Sequence, residues 1–218
     1  MSMGILEARV EGELRWRDEG GSAWPALVVR FPRPQRTVSS APLGGGLGLA
    51  RFVLNAQVPT DYARCDPDAH LREIAAQLDL RGPGVGMLTA AEVGRFRARS
   101  DAGVRVLATV GLGHPLLAAA PETAPLDGAE PAAGTINLVI GLPVLLGHAA
   151  LVNAVATATE AKVQALLDLG LHATGTATDA VCIACPTEGA PEPFGGPRST
   201  WGARLARAVH AAVTGAEA

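Results

Sequence analysis

TINLVIGLPVLLGHAALVNAVATATEAKVQALLDLGLHATGTATDAVCIA, residues 135–184, reads as strand, helix, strand. Thr135–Ile140 is a short apolar run, the Gly141-Leu142-Pro143 break ends it, and Val144–Leu169 follows as a long helix. Ala180–Ala184 is a second short apolar run. If both strands join one sheet in parallel, the crossover is right-handed and the helix runs antiparallel to both. Its C-terminal end then returns the chain to where the strands begin, setting 134–137 beside 174–179. Two polar, glycine-containing segments meet at one sheet edge. Open parallel sheets bind ligands at the opposite, carboxyl edge, so this is either a departure or the strands are not neighbours in that sense.

Working outward, Ala26–Phe31 and Arg51–Val58 read as strands, Leu6–Arg15 alternates, and residues 39–48 form a glycine-rich loop. Asp66-Pro67 opens a helix to about Leu80, with Asp as N-cap and Pro at the first helical position. Met87–Ala91 and Val104–Leu112 read as strands, Pro115–Ala133 as a connection, and Thr200–Val213 as a closing amphipathic helix. The expected class is α/β of the α+β type: a mixed β-sheet with helices packed on it and one long, mostly buried central helix. Residues 1–218 are expected to form a single domain.

Composition narrows the function classes. The 218 residues are 48% hydrophobic and 18% charged, with net charge −3 and no long basic tract, which argues against a nucleic-acid binder. Three cysteines do not make a disulfide framework, and the C-x-x-C at Cys182 and Cys185 puts its thiols on opposite faces of a strand. No histidine pair has metal-ligand spacing, so no metal site is expected. No signal peptide opens the chain, which is expected to be cytoplasmic. Residues 131–159 carry no charged side chain, but Asn137, Pro143, His148 and Asn153 favour a buried strand and helix over a membrane span. The glycine loop lacks the lysine and spacing of a nucleotide loop, and no hydrolase elbow is present.

Scarcity supplies a hint: 17 arginines stand against one lysine, Lys162, and the only asparagines are Asn55, Asn137 and Asn153. On the long helix, Asn153, Thr157, Glu160 and Gln164 form one polar stripe, while Lys162 points almost oppositely amid apolar residues. With no charge over 144–159, both faces are expected to be covered, making Glu160 a shielded carboxylate and Lys162 a shielded amine. Thr174, Thr176 and Thr178, if extended, place three hydroxyls on one face and Asp179 on the other. The alternative is a turn closed by Asp179 before the strand. Gly44, Gly45 and Gly46 make a tight turn or let backbone amides approach a ligand.

An ordered set of segments resembles the adenosylcobinamide amidohydrolase family of corrinoid salvage. They are Ser40–Gly46, Ala108–Gly111, Gly134–Asn137, Ala150–Ala154, Thr157–Lys162, Thr174–Ala180 and Phe194–Pro197, spanning about residue 37 to the C-terminus. The resemblance implies hydrolysis of the amide that joins an aminopropanol arm to the corrin ring of adenosylcobinamide, giving adenosylcobyric acid and aminopropanol. The corrinoid is then substrate, with no further cofactor, nucleic acid or membrane partner; a carrier or sensor without turnover is the alternative. His114, Cys182 and Cys185 fall where the resemblance fixes no residue.

Amide hydrolysis needs an activated nucleophile, an oxyanion site and a proton for the leaving amine. The sequence offers Glu160 or Asp179 as base on water, Gly44–Gly46 or Asn137 for the oxyanion, and Lys162 as proton donor or charge partner. Thr176 is the rival, as a covalent nucleophile. Asn137, Asn153, Thr174 and Thr178 join the three glycines as candidate substrate-binding residues.

Overall fold

A computed structural model describes residues 10–121 and 134–215. Eight strands form one mixed sheet: β1 (Glu13–Glu19), β2 (Ser22–Ser39), β3 (Gly46–Gln57), β4 (Gly84–Thr89), β5 (Arg97–Asp101), β6 (Val104–Val110), β7 (Ile136–Gly141) and β8 (Ala180–Cys185). Three helices pack on it: α1 (Pro67–Gln77), α2 (His148–Asp168) and α3 (Thr200–Thr214). The strand order is β4-β3-β2-β8-β7-β6-β5, with β1 paired to β2. The mixed sheet with packed helices is the expected class.

β7 and β8 are parallel neighbours, Asn137 opposite Ala180, as the strand–helix–strand reading requires. The expected β-strands at 26–31 and 51–58 prove much longer, because residues 35–39 and 46–50 pair with each other and take in both ends of the expected glycine loop. β2 changes register between Arg30 and Gln35. Pro32 and Pro34 occupy that interval, where a missing N–H costs no ladder bond. Before the break β2 pairs with β1; after it, with β8. β5 escaped the sequence reading because Arg97, Arg99 and Asp101 disguise an edge strand. Of the alternating stretch Leu6–Arg15, residues 13–15 open β1, residues 10–12 are outside any strand, and residues 6–9 lie outside the described ones, as does 122–133 of the expected connection.

The bend rolls the sheet so that β3–β4 face β6–β7. Leu27, Val53 and Met87 pack inside the roll against Leu107, Val139 and Cys182. α2 and α3 cover the outer face of β6–β8, and α1 covers that of β2–β4. α2 fully buries Leu151 and Leu166, each contributing about 1.5–3 kcal/mol by area. The C-x-x-C thiols diverge as expected, Cys182 into the inner core and Cys185 under α2.

The Phe194–Pro197 segment owes its glycines to sterics. A Cβ on Gly195 would stand 2.2 Å from the Ala150 carbonyl oxygen, and one on Gly202 of α3 would stand 2.0 Å from that of Gly196. Thr157 donates to the Gly195 carbonyl at 2.9 Å, tying the segment to α2. Gly202→Ala is therefore expected to lower unfolding free energy by about 1–3 kcal/mol, read from the urea midpoint; an unchanged midpoint would refute the close packing.

Burial pushes the Cys182 thiol up from 9.0 to about 12, and Cys185 moves the same way. The unfolded chain thus releases these protons first, so their contribution is full below about pH 9 and is lost as pH rises toward 12. Cys182→Ala should flatten the alkaline stability slope by up to about 1.4 kcal/mol per pH unit over this range, measured by chemical unfolding at stepped pH.

Candidate functional site

Asp179 stands one residue before β8, and its carboxylate gathers four donors. The backbone N–H of Ile136, at the start of β7, donates to Oδ1 at 2.8 Å. The Thr176 N–H donates to Oδ2 at 3.1 Å, and the Thr176 hydroxyl donates to Oδ1. Lys162 reaches across from α2 to pair its ammonium with Oδ2. The two side chains are only 9% and 12% exposed, so the sole lysine of the chain is a buried cation held by one carboxylate. Its charge is compensated, which is what makes a lysine tolerable on that apolar face.

Gly175 lets this happen. A Cβ there would lie 2.4 Å from Asp179 Oδ2 and 2.5 Å from Lys162 Nζ. The glycine backbone passes directly over the ion pair.

The three threonines do not share one extended face. Residues 177–178 form a turn, so Asp179 folds back onto Thr176, in line with the alternative reading. Thr174 accepts from the Ala118 N–H at 2.8 Å. Thr178 pairs its hydroxyl with that of Thr135 at 2.7 Å, joining the two polar segments that the strand–helix–strand reading set side by side.

Behind them lies a second polar group. Asn137 donates its two amide protons to Asn55 and to the Leu88 carbonyl, both at 2.9 Å, and accepts from the Ala180 N–H at 3.1 Å. Asn55 in turn donates to Thr109 at 2.9 Å. This buried chain clamps β3 and β4 to β6 and β7 across the roll, and it leaves the Asn137 side chain no proton for a ligand.

A cleft of about 470 Å³ opens above these residues, its wall including Thr135, Ala177, Thr178, Thr89, His114 and Tyr62. It lies where β7 and β8 begin and where β3, β4 and β6 end. The sheet is mixed, so one edge is amino-terminal for some strands and carboxyl-terminal for others. That resolves the apparent departure from the carboxyl-edge rule.

Other expected residues stand apart from the cluster. Glu160 is exposed, as are Asn153 and Gln164, which corrects the expectation that both faces of the helix are covered. Neighbouring elements cover the face bearing Lys162, and the uncharged residues 144–159 leave the opposite face wet. Gly44 and Gly45 border a different groove beside α1, and a Cβ on Gly44 would lie 2.2 Å from the Gly84 carbonyl oxygen. These glycines serve close backbone packing in a turn. Asp66 occupies the N-cap position of α1 without capping it, because its carboxylate bonds Arg64 instead. Among the described residues, no three His, Cys, Asp or Glu side chains group to hold a metal, and no helix is long and apolar enough to cross a membrane.

The sequence reading missed Tyr62 and Arg64 in the cleft wall and set aside His114, which also lines it. Each is a single polar residue in a loop, without periodicity or motif to mark it.

Lys162→Met would strand the Asp179 charge and should cost about 3–5 kcal/mol in a denaturant titration. Lys162→Met with Asp179→Asn should cost less than Lys162→Met alone, because Asn keeps the acceptor for Ile136 and no charge remains. Equal losses would mean that the carboxylate is not held dry.

Residues 9–218 match the family described as adenosylcobinamide amidohydrolase. The adenosylcobinamide amidohydrolase of Methanosarcina mazei is 29% identical over 179 residues, covering 78% of this chain and 84% of that protein. The protein of the same name from Halobacterium salinarum is 33% identical over 190 residues, covering 85% and 82%.

Proposed function

The chain belongs to the adenosylcobinamide amidohydrolase family, and from that premise we propose that it cleaves the aminopropanol amide of adenosylcobinamide, releasing adenosylcobyric acid and aminopropanol. As its relatives' names state, the chemistry is hydrolysis of an amide C–N bond. The observation that carries the reading is the Thr176–Asp179–Lys162 cluster, buried beside a cleft whose wall includes the adjoining Ala177 and Thr178.

The same cluster favours one of the open mechanisms. A carboxylate has about four acceptor sites. All four on Asp179 are matched by protein donors, which leaves none for a catalytic water. One donor is the Thr176 hydroxyl, so the proton that a nucleophilic threonine must lose already rests against its acceptor. In this reading Thr176 Oγ attacks the amide carbonyl carbon, Asp179 takes its proton, and Lys162 holds Asp179 in place until then. Glu160, exposed on α2, takes no part. The carrier or sensor alternative gains nothing from a buried hydroxyl–carboxylate–ammonium array.

The test is incubation with adenosylcobinamide and chromatography of the products. Thr176→Ala should lose activity by about 10³-fold or more, as expected for loss of a nucleophile. Thr176→Ser should keep measurable turnover and accumulate an acyl-enzyme detectable by mass. Glu160→Gln should match the parent protein. Full turnover by Thr176→Ala would eliminate the covalent route.

A further inference from the structure

A second buried polar array reaches the same cleft from the other side. The Tyr62 hydroxyl lies 3.0 Å from His70 Nδ1, and the two rings stack with centroids 5.5 Å apart. His70 Nε2 lies 3.0 Å from Glu19 Oε1. Arg17 pairs with Glu19 Oε2 at 2.8 Å and donates to the Gln57 carbonyl at 2.7 Å. His70 is 2% exposed and the Arg17 side chain wholly buried. A staple between β1 and α1 needs only the Glu19–His70 contact. The array instead continues to a phenol in the cleft wall, opposite in sequence and fold to the Thr176 loop.

Resting on the amide-hydrolysis reading above, we propose that Tyr62 is a further catalytic residue, the proton donor to the departing amine, with His70 and Glu19 as its positioning relay. The direction of the relay follows from donors and acceptors. When His70 carries one proton, the Glu19 carboxylate selects Nε2–H, and the Tyr62 O–H turns back onto Nδ1. When His70 carries both, Nε2–H meets Glu19 and Nδ1–H donates to the Tyr62 oxygen. The phenolic proton then turns into the cleft, and a phenolate left after transfer is stabilised by Nδ1–H. The charged groups around the ring are Glu19 and Arg17 of β1, Asp66 at the start of α1 and Glu73 on α1, the last two held by Arg64.

The steps balance. Thr176 Oγ bonds to the carbonyl carbon and its proton passes to Asp179. The C–N bond breaks as nitrogen takes the Tyr62 proton and leaves as aminopropanol. Water then attacks the acyl carbon and returns a proton to Tyr62, while Thr176 Oγ departs with the proton held by Asp179. One water is consumed, and one acid and one amine are formed.

Tyr62→Phe keeps the ring and its stacking, so folding is checked by its melting temperature. On adenosylcobinamide its kcat should fall about 10²–10⁴-fold with KM little changed. On a nitrophenyl ester of the same corrinoid acid, whose leaving group departs without a proton, the first-turnover burst of nitrophenol should be as fast in Tyr62→Phe as in the parent protein. His70→Gln should lower kcat on the amide with KM little changed. An unchanged kcat for Tyr62→Phe on the amide, or a nitrophenol burst slowed as much as the amide reaction, would overturn the assignment. A parent protein that releases no aminopropanol would defeat the amide reading itself and the Tyr62 role with it, whatever the variants do.

Discussion

Everything around the cleft depends on how the Asp179 carboxylate is satisfied. It binds the first residue of β7 through Ile136, its own loop through Thr176, and α2 through Lys162. A strand, a helix and a loop that follow one another in the chain are thereby fixed at one point. Two of its donors are the backbone N–H groups of Ile136 and Thr176, whose burial without a partner would cost about 1–3 kcal/mol each. The ion pair alone would be weak support for stability, since desolvation offsets much of its attraction. Its value lies in geometry: it sets a hydroxyl, a carboxylate and an ammonium in fixed order beside a hollow.

The roll of the sheet provides that hollow. β2 breaks register around two prolines and serves two different neighbours, which brings β3–β4 over β6–β7. The Asn137–Asn55–Thr109 chain then locks the halves together under the cleft. A fully satisfied polar chain tolerates no slippage, because a shift of one residue would turn both asparagines to the opposite faces. The mouth above it combines strand beginnings and strand ends, and receives the Thr176 loop on one side and the Tyr62 loop on the other.

Glycines mark where backbone must run against something already in place. Gly175 crosses the ion pair, while Gly195 and Gly202 let α2, α3 and the loop between β8 and α3 interlock. Gly44 abuts a carbonyl of β4. The glycine-rich loop at 44–48 thus answers to strand pairing and close packing, whereas the single Gly175 is the one that shapes the candidate site.

The sequence by itself determined the parallel strand–helix–strand unit, the meeting of 134–137 with 174–179, and the divergence of the two core thiols. These follow from local periodicity and chain direction, which are written along a single stretch. Scarcity also pointed well: the lone lysine and two of three asparagines are buried in polar contacts. Tertiary structure alone decided that Lys162 would meet Asp179, that the Glu160 face would stay wet, and that Tyr62 and His70 would form an array with Glu19. Those outcomes depend on which elements cover which face, and on contacts between residues far apart in the chain, such as Asn55 and Asn137, 82 positions apart. No local pattern encodes such a distance, because it exists only once a long strand has bent around its prolines and brought the two halves of the sheet face to face.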